Sequence, residues 1–352
     1  MVMKICYLLE STELSGGVRV VFDQARVLAK KGHKVQIRAL RGDHSWYPYP
    51  IDVQYVKRLD EPFEKHSKPE ALVCTYWSTV SPGLSLNIYP TFHLCQGYEG
   101  GFPELESVHD QIEFIYRLKI PKITIGEWIS QQLIERFGHS EFPIHCIGQI
   151  VDTTLYHPKR LNWTNLEFYK KNRKPRVLIV GDCFVFSKGI EDGLQAIERL
   201  RLQGHKLSLI RVSIMSNTRK DEQEFTPIDE YHFRLDPKQM ASIYRRSDLL
   251  LAPNRVAEGF GLPFAEALAS GVPAVATRIP SYLSFDQKQD YACFVRDNDY
   301  KAMAGAISLV LNDHKLRKKL QKKGPNIIRK RFDAESVILR LEQVIESYKR
   351  FQ

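Results

Sequence analysis

The stretch DLLLAPNRVAEGFGLPFAEALASGVPAVAT (residues 248–277) decides the fold. It reads strand, loop, helix, strand. LLLA and AVAT are short uninterrupted apolar runs, the pattern of strands buried on both faces of a parallel sheet. Pro263 suits the first helical turn, where its missing N–H costs nothing. Gly271 suits the stop. Two carboxylates stand out against this apolar background. Glu258 sits in the loop at the helix mouth, and Glu266 lies eight positions on, about one turn into the helix.

The same alternation runs outward in both directions. Upstream, KICYLLE is a strand, SGGVRVVFDQARVLAKKGH a helix and KVQIRAL a strand. Val18, Val21, Phe22, Ala25, Leu28 and Ala29 recur at helical spacing, and Gly32 stops the helix. EALVCTYW and TFHLCQ fit further strands, KITIGEWISQQLIERFG a strand into a helix, and PIHCIGQIVDTTLYHPKR closes the first half. The pattern restarts at PRVLIVG, and a long helical pattern, DAESVILRLEQVIESYKRF, ends the chain. Two doubly wound α/β halves are expected. The first is residues 1–158, with the helix 334–352 packing back on it. A polar connection at 159–174 leads to the second, 175–333.

Composition agrees with this and excludes other classes. The 352 residues suit two domains of about 150 residues each. An apolar share of 43% excludes disorder. No run reaches the roughly 18 uncharged apolar residues of a membrane span, and the first apolar run is too short for a signal peptide. A cytoplasmic location is expected. The six cysteines are scattered without a C-x-x-C pair and read as buried thiols. The net charge of +10 is uneven: residues 1–150 carry 16 Lys/Arg against 17 Asp/Glu, and residues 151–352 carry 35 against 24. The excess lies in KKNRKPR (170–176) and HKLRKKLQKKGPNIIRKRF (314–332). These runs are solvated helix faces or attract an anionic membrane surface. Nucleic acid is not an expected partner, because no aromatic-interleaved basic motif accompanies the charge.

Glu258 and Glu266 flank an anion-receiving helix end. Gly259 and Gly261 let a ligand approach the backbone. The N–H groups of Gly261, Leu262 and Phe264 offer donors aided by the helix dipole. Carboxylates beside N–H donors suit a ligand bearing both hydroxyls and phosphates, and a nucleotide-sugar has both. In LIVGDCFVFSKGIEDGL (178–194) Lys188 stands before Gly189 at the mouth of the next helix, where a diphosphate fits. Gly16 and Gly17 allow an equivalent approach in the first half. The plainer reading makes Glu258 a loop charge and Glu266 a solvated helix residue. Asp297 and Asp299 could suggest a metal site, but they directly precede a helix, and Asp299 reads as its N-cap.

Together and in this order, these stretches resemble the retaining GT-B glycosyltransferases of family 4. Glu258 to Glu266 resembles that family's E-x7-E motif with its flanking GFGLP and EALASGVPAVAT. Ser187-Lys188-Gly189 resembles its phosphate-binding lysine, and GGVRVVFDQARVLAKKGHKV its first glycine loop and helix. The resemblance implies two Rossmann-like domains facing a central cleft, a nucleotide-sugar donor on the second, and transfer with retention and without a metal or other cofactor. Glu266 would hold the ribose diol, Lys188 the diphosphate and Glu258 the sugar hydroxyls. Gly16, Gly17, Gly259, Phe260, Gly261 and Leu262 would line the donor.

Three positions depart from the family's pattern. Asp182 stands where an arginine is usual, with Arg255 or Arg211 the candidates to compensate. Gln96 stands near the place of a histidine that contacts the reacting sugar, while His93 reads as a core residue. Arg19 replaces a common glutamate and, with Tyr98 and Glu99, is an acceptor-side candidate. The resemblance implies a glycan or lipid-linked acceptor in cell-surface polysaccharide synthesis. The alternative is a catalytically silent GT-B partner or scaffold of another transferase. A nicotinamide-dependent dehydrogenase would need a G-x-G-x-x-G after the first strand, and SGGVRVV lacks that spacing.

Overall fold

The computed structural model describes residues 2–138, 143–158, 173–214, 218–256 and 258–349. The chain divides into two units, Met1–Ile150 with Phe332–Gln352, and Val151–Arg331. The connection expected at 159–174 lies, but for its last two positions, outside the described residues.

The first unit runs β1 (Lys4–Ser11), α1 (Gly16–Lys30), β2 (Lys34–Arg41), β3 (Val53–Tyr55), β4 (Ala71–Cys74), α2 (Trp77–Ser85), β5 (Thr91–Cys95), α3 (His109–Arg117), β6 (Lys122–Thr124), α4 (Glu127–Phe137) and β7 (Ile144–Cys146). The second runs β8 (Arg176–Val180), α5 (Ile190–Leu202), β9 (Ser208–Ser213), α6 (Thr218–Gln223), β10 (Glu230–Phe233), α7 (Pro237–Arg246), β11 (Leu249–Ala252), α8 (Leu262–Ala269), β12 (Ala274–Thr277), α9 (Pro280–Leu283), β13 (Cys293–Val295), α10 (Tyr300–Asn312) and α11 (His314–Arg331). The last helix, α12 (Ala334–Lys349), returns to the first unit, where Glu342 accepts from His33 and Lys31, and Arg340 donates to the Ile147 carbonyl.

Both sheets are parallel and share one winding. Their orders are β3-β2-β1-β4-β5-β6-β7 and β10-β9-β8-β11-β12-β13. Each chain path reverses direction beside its first strand, between β1 and β4 and between β8 and β11. In such sheets the crevice beyond the carboxyl ends at the reversal is where ligands bind. The central strands β4, β5, β6, β11 and β12 are buried throughout, whereas the edge strands β3, β7, β10 and β13 are not. In β11 and β12 every residue is buried, and their Leu251 and Val275 share one core with Leu194, Ile197, Met303 and Ile307. Burying one such side chain stabilises the fold by about 1.5–3 kcal/mol.

Several elements differ from the sequence reading. Trp77 does not extend β4 but opens α2, because the Thr79 hydroxyl reaches back and accepts from the Tyr76 N–H at 3.2 Å. Only Cys6, Cys74 and Cys95 are buried. Cys146, Cys183 and Cys293 are partly exposed, and all six are free thiols. The basic run 314–332 is mostly α11, which buries Leu320, Gly324, Pro325 and Ile328 and exposes Lys315, Lys318, Lys319 and Lys322. Among the described residues no helix is long and apolar enough to cross a membrane.

Candidate functional site

In the second unit the loops after β8 and β11, which flank the reversal, meet. Gly189 adopts φ +58°, and a Cβ there would lie 2.1 Å from the Pro253 carbonyl oxygen. Only glycine permits that approach of backbone to backbone. It brings Phe186–Lys188, a single 3-10 turn, against the start of the β11 loop, and the Arg255 N–H donates to the Ser187 carbonyl at 2.8 Å. Lys188 and Glu258, 70 positions apart, thereby form an ion pair. Lys188 Nζ lies 2.7 Å from Glu258 Oε2. Asn254 Nδ2 donates to the same oxygen at 2.6 Å. Glu258 is buried, and Asn254 is itself pinned, since its carbonyl accepts from the Thr277 hydroxyl. Lys188, Asn254, Pro263 and Tyr282 are among the residues that line a cavity of ≈ 30 Å³.

Helix α8 begins as the sequence suggests, with Pro263 in its first turn and Gly261 as N-cap at φ +76°. A Cβ on Gly261 would come within 2.2 Å of the Tyr282 ring. The donor set at this helix end is smaller than expected. The Phe264 N–H is taken by the Gly261 carbonyl at 3.0 Å, because the first turn tightens. The N–H groups of Gly261 and Leu262 have no acceptor among the described residues. Phe260 is buried and stacks on Phe285. Glu266 is buried in α8 and accepts from the Tyr244 hydroxyl at 3.0 Å. A solvated helix residue it is not.

The cations named as substitutes for the missing arginine have other engagements. Arg211 is fully buried. Its fork holds Glu222 at 2.7 Å through both Nε and Nη2, and it donates to the Ile179 and Gly181 carbonyls. It is a pin for the β8 loop and does not face a ligand. Arg255 pairs with Asp192 at 3.0 Å and lies 3.9 Å over the Phe186 ring. Asp182 is buried and accepts from the Ser213 hydroxyl at 3.1 Å. Burial pushes its carboxyl above the usual range, against the Ser213 hydrogen bond and the Arg211 charge.

In the first unit, Ser15 caps α1 through a bond from the Val18 N–H, and this sets Gly16 and Gly17 at the helix start. Gln96 follows β5 and donates from Nε2 to the Gly17 carbonyl at 3.2 Å. Thus Gln96 and the glycine loop adjoin at the carboxyl edge of that sheet. Arg19 lies along α1, 3.7 Å from Asp23. The side chains of Tyr98 and Glu99, the other acceptor-side candidates of the sequence, turn inward. Tyr98 is buried against Tyr116 and Phe137 and donates to Glu113, while Glu99 is buried and accepts from the Tyr116 hydroxyl. Burial pushes Glu99 up to about 7, against the Tyr116 hydrogen bond. His93 is a core residue, fully buried against Tyr116, and burial with Lys122 beside it pushes its imidazole down to about 3. Asp299 caps α10 by accepting from the Ala302 N–H at 2.8 Å.

Sequence reasoning missed Asn254, Asp192, Tyr244 and Tyr282. Each acts through a partner distant in the chain or through a single short contact, and neither leaves a periodic or motif signal.

Residues 162–327, just under half of the chain, match the family model of glycosyl transferases group 1. The MMP alpha-(1->4)-mannosyltransferase of Mycolicibacterium hassiacum is 27% identical over 165 residues, which is 46% of this chain and 38% of that protein. The N-acetyl-alpha-D-glucosaminyl L-malate synthase of Bacillus anthracis is 22% identical over 311 residues, 83% of this chain and 76% of that protein. The chain spans less than half the length of four of the five curated relatives described by these comparisons. Among solved structures, Anabaena Alr3699/HepE in complex with UDP and glucose superposes with a TM-score of 0.77 at 15% identity, covering 98% of this chain and 100% of that one. A glycosyltransferase from Rickettsia africae gives 0.75 at 16% identity, covering 99% and 100%. The fold is GT-B, and residues 162–327 are similar to the glycosyl transferases group 1 family.

Proposed function

We propose that the chain is a retaining glycosyltransferase that moves a hexose or deoxyhexose from a nucleotide-diphosphate sugar to a glycan or lipid-linked acceptor in cell-surface polysaccharide synthesis. The observation that carries this reading is the meeting of Lys188, Asn254 and Glu258 at the reversal of the second sheet, beside the N-terminus of α8. A cation, a buried carboxylate and N–H groups without an acceptor among the described residues suit a ligand with both phosphates and hydroxyls. Lys188 takes the diphosphate, Glu258 the sugar hydroxyls and Glu266 the ribose diol, with the Gly259–Leu262 turn lining the donor. In this scheme the lysine and the helix end balance the diphosphate, and no metal or other cofactor is needed. Within the first unit, Gln96 and the Gly16-Gly17 loop are the candidate sugar contacts.

The acceptor class draws support from relatives named for capsular polysaccharide biosynthesis in Staphylococcus aureus and lipopolysaccharide core biosynthesis in Rhizobium meliloti. The exposed lysines of α11 favour work at an anionic cytoplasmic membrane face. A silent GT-B partner is the second reading, favoured by Asp182 at the usual arginine position and by the occupation of Arg211 elsewhere. One experiment separates the two. A panel of nucleotide-sugars is incubated with the protein in the presence and absence of chelator, and donor hydrolysis or transfer is read by mass spectrometry. In parallel, nucleoside diphosphate binding to wild type, Lys188→Ala and Glu266→Ala is read by calorimetry. Losing either charge-assisted bond is expected to weaken binding by about 1.5–3 kcal/mol. Binding unchanged in both folded variants sinks the donor assignment, and binding without turnover of any donor favours the silent partner.

A further inference from the structure

Three cations of the described residues stand around the reversal of the second sheet, and each of them already holds a carboxylate. Arg211 holds Glu222, with both side chains fully buried. Arg255 holds Asp192, with side-chain exposures of 16% and 15%. Lys188 holds Glu258, with exposures of 29% and 8%. Asp182 adds a further buried acid. An incoming polyphosphate therefore meets no unengaged cation among these three and must displace a carboxylate from one of them. The exposures decide which. Lys188 is the most open, and its ammonium is a compact point charge with rotatable donors, whereas the two guanidinium groups are fixed in planar contacts. Sharing Lys188 between Glu258 and a phosphate would set two like charges within a few ångströms, and each disfavours the other.

We propose that Glu258 guards Lys188 by charge, and that a polyphosphate binds by exchange: phosphate oxygens replace Glu258 on the ammonium, and Asn254 retains the released carboxylate. Asn254 is the positioning residue of this exchange. Its Nδ2 already bonds the same Oε2 that Lys188 holds, and the Thr277 hydroxyl fixes its own backbone. The carboxylate thus keeps one donor when it loses the other, so a buried acid is not left unpaired. The inference deepens the donor reading above and rests on it for the identity of the anion. It adds that the first motif glutamate opposes diphosphate binding, the reverse of what a simple ligand contact does.

The test is titration calorimetry of wild type, Glu258→Gln, Asn254→Ala, Lys188→Ala and the combination of Glu258→Gln with each of the latter two, with UDP, GDP and inorganic pyrophosphate as probes. Circular dichroism checks that each variant is folded. Glu258→Gln keeps the shape and removes the competing charge, so it should bind the anion about three- to tenfold tighter than wild type. Lys188→Ala combined with Glu258→Gln should abolish that gain, and Lys188→Ala alone should bind the anion more weakly than wild type. Asn254→Ala leaves Glu258 with Lys188 alone and should weaken anion binding, but only while Glu258 is a glutamate. In the Glu258→Gln background the same change should do nothing, an outcome that a merely structural asparagine would not give.

If wild type binds the nucleotides and folded Glu258→Gln binds them no tighter, the guard is refuted and the donor reading survives. If Glu258→Gln gains on pyrophosphate while neither protein takes a nucleoside diphosphate, the guard stands and the donor reading falls. If neither binds any of the three probes, both fall.

Discussion

Glu222→Ala is the most severe single change the structure offers near the site without touching Lys188 or Glu258. Glu222 and Arg211 are both fully buried, and the carboxylate meets the guanidinium fork through two contacts of 2.7 Å. Truncating one partner leaves an uncompensated charge inside the second unit, at a cost of about 3–5 kcal/mol. Two remaining bonds, to the Ile179 and Gly181 carbonyls, do not neutralise it. For a domain of this size each kcal/mol lowers Tm by about 2–4 °C, so the second unit should melt about 6–20 °C earlier. Because Arg211 anchors Gly181, the β8 loop that ends at Lys188 should loosen as well, and nucleoside diphosphate binding should weaken. The companion variant is Arg211→Met with Glu222→Leu, which removes both charges. It should recover most of the lost stability, since replacing a buried pair by apolar groups is often neutral. Differential scanning calorimetry follows both variants. A Glu222→Ala shift below about 2 °C, or a double variant less stable than the single one, refutes the argument that the pair is a desolvated charge unit.

Two further outcomes are specific. Gly261→Ala forces a side chain into φ +76° and against the buried Tyr282 ring, so thermal melting should show a loss of about 2–4 kcal/mol, and anion binding at α8 should fall with it. Glu99→Gln should change how stability depends on pH. The Glu99 carboxyl, raised from 4.5 to about 7, holds its proton more firmly when folded. Its contribution is full below pH 4.5 and is lost as pH rises through 7. The glutamine variant should lack that loss in urea titrations between pH 5 and 8. A variant that retains the wild-type slope would show that Glu99 is not the titrating group.

Much of the architecture was legible because its cause is local. The strands of both sheets are short apolar runs bounded by Gly, Pro or polar residues, and α1, α5 and α10 show clean helical spacing. Pro263, Gly189 and Gly271 stand where turn geometry demands them. What was not legible has non-local causes. Strands β3 and β10 are sheet edges with little burial, so VQY and EYHF carry no apolar signature. Trp77 looks like the end of a strand and becomes the start of a helix because Thr79 reaches back to cap it. Helix α11 is too basic to read as a packing element, yet Gly324 packs on the backbone of Leu268 in α8 with little room for a Cβ.

The site divides along the same line. Which residue types gather at the reversal followed from motif spacing, since a loop lysine, a loop glutamate and a helix mouth are each marked in the local sequence. Which of them engage one another did not. Arg211 and Arg255 look interchangeable in the sequence as spare cations for a phosphate. Their roles differ because Glu222 lies across Arg211 on α6 and Asp192 lies across Arg255 on α5. Asp182 illustrates the converse. A carboxylate at a position where a cation is usual reads as a damaged phosphate site, yet here it accepts from Ser213 in the interior, with its affinity for a proton raised by burial. The charge that matters to an incoming anion is therefore that of each pair, and Lys188 with Glu258 is the most exposed of the three. Spacing in the sequence brings acids and bases to one sheet edge. Only the packing of α5, α6 and the two loops decides which base remains open to exchange.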